Sequence, residues 1–161
     1  MTWIEPDWPA PPHVHALTTE RAASYPDDPH DGFNFADYVD DVPLKVEANR
    51  QVLLETLGLT CPPAWLEQRH GTTMLRLEDS GRKGSRAADG SVTFQNANVC
   101  AVLSADCAPV FLSDRRGSFV ALLHVGWRGL SDGMIESGLA VIPGSVGEII
   151  SWVGPTISQE Y

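Results

Sequence analysis

Basic residues are scarce in this chain: 11 Lys and Arg stand against 21 Asp and Glu, a formal net charge of −10 over 161 residues. That balance excludes the basic patches that nucleic acid and anionic membranes select, so neither is expected as a partner. Long apolar runs are also missing. None reaches bilayer-spanning length, and the opening Met1-Thr2-Trp3-Ile4-Glu5-Pro6-Asp7 has neither the basic start nor the apolar stretch of a secretion signal. A cytoplasmic location is the resulting expectation. Cysteine is limited to Cys61, Cys100 and Cys107, an odd set without the spacing of a disulfide framework or a CxxC zinc site, which leaves reduced thiols. No internal repeat, heptad or low-complexity tract is present. What remains, 43% hydrophobic and 20% charged residues, is the composition of a folded chain long enough for one core, so residues 1–161 are expected to form a single domain.

Proline is plentiful at the start, where Pro6, Pro9, Pro11, Pro12, Pro26 and Pro29 break any long element. A short strand is predicted over 14–19, and residues 24–32 read as a loop of the kind that covers clefts. A helix is predicted from Pro43, with Val46, Leu53, Leu54 and Leu57 on one face, Lys45, Glu47, Arg50 and Glu55 solvated, and Gly58 as its stop. Residues 64–77 suit one or two short strands interrupted by Gln68-Arg69-His70-Gly71, and 76–90 form a polar, glycine-containing loop. Strands are predicted at 99–103, 110–112, 119–123 and 149–153, and a helix over 132–141, capped by Ser131 with Met134, Ile135 and Leu139 inward.

The chemistry concentrates in His124-Val125-Gly126-Trp127-Arg128-Gly129, which sets an imidazole at the end of an apolar run and a guanidinium in the turn beyond. Gly126 and Gly129 permit backbone angles and close approaches that a side chain forbids, and a helix start beside Arg128 suits phosphate or carboxylate. His70 and Cys107, like His124, end or interrupt predicted strands, and strand ends converge on sheet edges. Cys100, embedded in an apolar run, reads as core instead. A thiolate with two imidazoles can hold zinc and leave one position open for water or a substrate oxygen. A histidine can equally activate Cys107 as a covalent nucleophile. The residues by themselves leave both open.

Gln68-Arg69-His70-Gly71, Ala88-Asp89-Gly90, Ser104-Ala105-Asp106-Cys107-Ala108-Pro109, His124 to Gly129 and Trp152-Val153-Gly154-Pro155 resemble, in order and spacing, the motifs of the laccase-domain family. Its members are purine nucleoside phosphorylases long labelled multicopper polyphenol oxidoreductases. The resemblance implies an α+β fold, a layered α/β/β/α sandwich similar to the catalytic domain of cytotoxic necrotizing factor, with zinc rather than copper held by His70, Cys107 and His124. It further implies phosphorolysis of adenosine and inosine, with hydrolytic deamination of adenosine in some members, so a nucleoside and phosphate are the expected partners. Self-association is a further expectation. Arg128 is assigned to phosphate by its chemistry; Gln68, within the first motif, and Asn34, within Phe33-Asn34-Phe35, are expected as further substrate contacts.

Where the family usually carries Thr-Thr-Arg and a glycine pair, this chain reads Thr18-Thr19-Glu20-Arg21-Ala22-Ala23. Family chains also continue well beyond Gly154-Pro155, so a truncated C-terminal part is expected. A multicopper oxidase needs a two-histidine, one-cysteine site and a separate histidine-rich cluster, which five histidines do not supply. The alternatives to phosphorolysis are a Cys-dependent amide hydrolase acting on a cell-wall precursor and a catalytically silent zinc-binding module.

Overall fold

Short apolar runs separated by turn residues bury their faces by pairing side by side, and the later half of this chain follows that rule. The computed structural model describes residues 1–21, 30, 32–80, 86–142 and 148–158, and it is of mixed α and β type. Its contacts sort into two compact units, residues 1–5 with 17–62 and residues 6–16 with 63–161.

In the first unit β1 (Thr2–Ile4) pairs antiparallel with β2 (Thr18–Glu20), Ile4 lying opposite Thr18. The strand expected over 14–19 therefore begins at Thr18. Upstream, the backbone is committed to a turn in which the Val14 N–H bonds the Pro11 carbonyl at 2.9 Å. Helix α1 (Pro43–Leu57) starts on the proline, whose missing N–H has no partner to lose there, and ends at Gly58 with φ of 61°. Val46 and Leu53 are buried. Arg50, expected to be solvated, is half-buried: its Nε and Nη2 donate to the Phe35 carbonyl at 3.0 and 2.7 Å, and Nη2 lies 3.4 Å from Asp37. A planar guanidinium satisfies a backbone acceptor and a carboxylate together, which draws it out of water. Most of the loop expected over 24–32 lies outside the described residues.

The second unit contains a five-stranded sheet in the order β3 (Met74–Arg76), β4 (Gly90–Thr93), β6 (Val120–Val125), β5 (Ala108–Asp114), β7 (Ile149–Val153). Only the β3–β4 pair is parallel. A short helix, α2 (Leu77–Ser80), follows β3. The segment expected to be a loop over 76–90 holds the end of β3 and all of α2, with residues 81–85 outside the described ones, and β4, for which no strand was expected, begins at its last residue, Gly90. Its Gly-Ser-Val-Thr sequence has weak strand character by itself. Flanked by β3 and β6, however, every residue of it is buried.

The strand expected over 99–103 is absent: Cys100 makes a single bridge to Ala64, and the Leu103 N–H is taken by the Gln68 side chain at 2.7 Å rather than by a ladder. Cys100 nevertheless keeps its thiol covered, facing the Ser91 and Val120 carbonyls at 3.6 and 3.8 Å, and burial pushes that thiol up to about 11.

Alternation gives the sheet two distinct faces. Val92, Val110, Leu112, Ala121, Leu123 and Val125 gather with Phe119, Met134 and Ile142 into the core. Phe111 points to the opposite face, where its ring meets Trp152 at 5.0 Å; Leu122 is its partner across β6. The helix predicted over 132–141 is α4 (Met134–Ala140), starting two residues later than expected, and a short helix that was not expected, α3 (Trp127–Ser131), precedes it. Gly133, at φ of 94°, separates them, because a left-handed residue cannot continue a right-handed helix. Ser131 lies inside α3 and caps nothing, whereas Met134 is fully buried as expected.

Candidate functional site

The sheet delivers three of its ends to one place. Cys107 immediately precedes β5, His124 is the penultimate residue of β6, and His70 lies in the turn leading to β3. The ligand atoms of His70, Cys107 and His124 all lie within 4.8 Å of one another. The two imidazole rings stand edge to face at 4.8 Å between centroids. His124 is buried, Cys107 half-buried and His70 exposed, so the group is anchored at one side and open at the other.

Each approach has a local cause. Gln68 donates from Nε2 to the Leu103 carbonyl at 2.8 Å and accepts the Leu103 N–H, which ties the segment before His70 to the segment before Cys107. The Ser104 hydroxyl donates to the Cys107 carbonyl, and the Thr156 hydroxyl donates to that of Asp106 at 2.6 Å. Gly126 has φ of −75° and ψ of 165°, angles open to any residue, so of the two roles expected of it only room for close approach applies, and not backbone freedom. A Cβ there would lie 2.9 Å from Cys107 Sγ and 3.0 Å from His70 Cδ2.

Asp89 was legible only as part of a motif, with no role attached. It is 1% exposed, directly precedes β4, and faces the His124 Nδ1 with Oδ1 at 3.0 Å. Its carboxylate also accepts the backbone N–H groups of Arg69, His70 and Gly71. Burial alone would raise its pKa, but the hydrogen bonds from His124, Gly71, Arg69 and His70 outweigh that and hold it below the ordinary aspartate value. Cys107 moves the other way: burial, then the charges of Asp106 and Asp89, push its thiol up. This placement disfavours the thiolate. A bound cation would reverse the balance, because a coordinated thiol gives up its proton.

Arg128, on α3, is exposed and lies with its guanidinium carbon 5.0 Å from the centroid of the Trp127 ring, itself 74% exposed. Asn34 belongs to the first unit and serves a turn there, donating to the Ala36 carbonyl at 3.0 Å and Asp41 at 2.9 Å. One thiol and two imidazoles are borderline-soft donors of the type zinc takes, and three such ligands leave a fourth position for water or substrate. Among the described residues no cysteine is in a disulfide. No helix among the described residues is long and apolar enough to cross a membrane.

Comparison with known proteins gives a consistent picture. The family described as multi-copper polyphenol oxidoreductase laccase matches residues 15–161. A purine nucleoside phosphorylase of Pseudomonas aeruginosa is 39% identical over 155 residues, covering 96% of this chain and 62% of that protein. The purine nucleoside phosphorylase YfiH of Escherichia coli is 38% identical over 154 residues, covering 96% and 63%. Among solved structures, a Neisseria meningitidis protein of the DUF152 family superimposes with a TM-score of 0.89 at 35% identity, covering 98% of this chain and 64% of the other. The chain thus spans a little under two thirds of the length of these relatives.

Proposed function

Because the chain belongs to the multi-copper polyphenol oxidoreductase laccase family, we propose that it is a purine nucleoside phosphorylase acting on adenosine and inosine with phosphate at a zinc centre of His70, Cys107 and His124. The observation that carries this reading is the convergence of one thiol and two imidazoles, distant in sequence, within 4.8 Å. Relatives bearing the name purine nucleoside phosphorylase support the choice of reaction.

In phosphorolysis a phosphate oxygen bonds to the ribose C1′ as the bond from C1′ to the purine N9 breaks, and the purine leaves with the electron pair and takes up a proton. Bound zinc would supply a Lewis acid that polarises a substrate oxygen or bound water. Arg128, exposed beside Trp127, is the proposed phosphate contact, since a guanidinium offers paired donors matched to phosphate oxygens. Gln68 acts in this reading by holding the segment before Cys107, its amide being committed to Leu103. Asn34 keeps a supporting role in its own turn. The same centre serves hydrolytic deamination of adenosine, in which water bonds to C6 of the purine and ammonia leaves. We place the reaction in the cytoplasm, where thiols that form no disulfide stay reduced.

Incubation with inosine, with and without phosphate, tests the reading. Hypoxanthine release that requires phosphate, and that falls by about two orders of magnitude or more in Cys107→Ala, is expected. Full turnover by that variant removes the centre from the reaction. Amide cleavage without phosphate replaces the reading with a Cys-dependent hydrolase, and no turnover of either substrate leaves a metal-binding module.

A further inference from the structure

We infer that Asp89 is the positioning residue of the centre: one buried carboxylate fixes the tautomer of His124 and the backbone of His70 together. The inference rests on the proposed metal centre for its consequence, but its geometry stands apart from any metal.

Sheet pairing brings Asp89 to His124. Gly90 lies opposite Leu123 in the β4–β6 register, so the next pair along is Asp89 with His124, and the His124 N–H donates to the Asp89 carbonyl at 2.7 Å. The two side chains therefore leave the sheet on one face as cross-strand neighbours. An ionised carboxylate only accepts hydrogen bonds, so the His124 Nδ1 at 3.0 Å must carry the proton. Nε2 is then the atom with the free lone pair. A ring with the opposite tautomer would present an N–H at that atom and could not ligate or accept a proton there.

The same oxygens shape the turn before β3. His70 adopts φ of 57°, a left-handed conformation that residues with a side chain rarely occupy. Its own N–H reaches Asp89 Oδ1 at 2.8 Å, the Gly71 N–H reaches Oδ2 at 2.8 Å, and the Arg69 N–H lies 3.1 Å from both oxygens. Three consecutive N–H groups directed at one anion form a backbone nest, and the anion holds the turn in it. Without that carboxylate nothing among these contacts keeps the chain at His70 from relaxing to an ordinary conformation. The His70 ring would then move away from Cys107 and His124.

The test combines a measurement that needs no metal with one that uses zinc alone. In nitrogen-15-labelled protein stripped of metal by chelation, long-range proton–nitrogen spectra at mildly alkaline pH report imidazole tautomers, with the His124 signals assigned by their loss in His124→Gln. A neutral His124 protonated at Nδ1 is expected, and one protonated at Nε2 overturns the inference whether or not zinc binds. Zinc titration of Asp89→Asn, which keeps the size but cannot accept at both atoms, should show affinity about 10- to 100-fold weaker than the parent. The visible spectrum of the cobalt-substituted variant should also change, a signature that general loss of stability does not produce. Unchanged affinity and spectrum in a folded variant overturn the inference. If the parent chain takes up no zinc, the metal reading fails, while the tautomer still decides the role of Asp89.

Discussion

At the scale of single residues, the site is an argument about space and hydrogen-bond supply. Gly126 illustrates the first. Its backbone angles suit any amino acid, yet a methyl group there would press on Cys107 Sγ and the His70 ring at the distances given above. Gly126→Ala should therefore leave folding largely intact while separating two of the three candidate ligand residues. The expected result is at least about tenfold weaker zinc uptake in a titration, with little change in the thermal midpoint. The three candidate ligand residues were legible because each ends or interrupts an apolar run within a recognisable motif. Asp89 was not, because an aspartate before glycine reads as an ordinary turn residue and sequence does not reveal which carboxylate is buried.

At the scale of elements, short pieces are held by side chains more than by their own ladders. α2 has only four residues, too few for helical stability of its own. Glu78, within it, accepts from the Thr93 hydroxyl at 2.5 Å and the Phe94 N–H at 2.9 Å, tying α2 to the end of β4. Burial would raise the pKa of this carboxyl, but these bonds and those from its own backbone and Arg76 prevail and hold it below the usual glutamate value. A depressed folded pKa means that the contribution is present above the unfolded pKa and is lost as pH falls through the folded one. Glu78→Gln should thus cost about 1–3 kcal/mol near neutrality by urea unfolding, with the gap between variant and parent closing as pH drops through that acid range. An equal gap at all pH values would deny the carboxylate its part. The same dependence on neighbours explains why β4 and the short α3 escaped the sequence reading, while α1, with a proline start and a glycine stop, did not.

At the scale of the whole molecule, the sheet of the second unit is the scaffold on which the site depends. Leu123 is fully buried, one residue before His124, and is paired with both Gly90 and Val110. Leu123→Ala would leave a cavity at the centre of the sheet and should cost about 2–5 kcal/mol in chemical denaturation. Zinc binding should survive wherever the variant remains folded, because His124 projects from the opposite face. Loss of metal in the folded variant would show that core packing and site geometry are coupled more tightly than the alternation of β6 implies.

The sequence alone determined the mixed α and β character, the position of α1, the apolar strands β5, β6 and β7 to within a few residues, the family motifs and the three residues, His70, Cys107 and His124, that the fold groups together. Those features are local, written in periodicity, capping residues and short spacings. The tertiary structure decided which strand lies beside which, that polar Gly90–Thr93 is central strand, that Asp89 is buried against His124, and that Gly126 is needed for room. Such facts depend on residues tens of positions apart meeting in space, and burial, register and hydrogen-bond supply come into being only once those partners are in place.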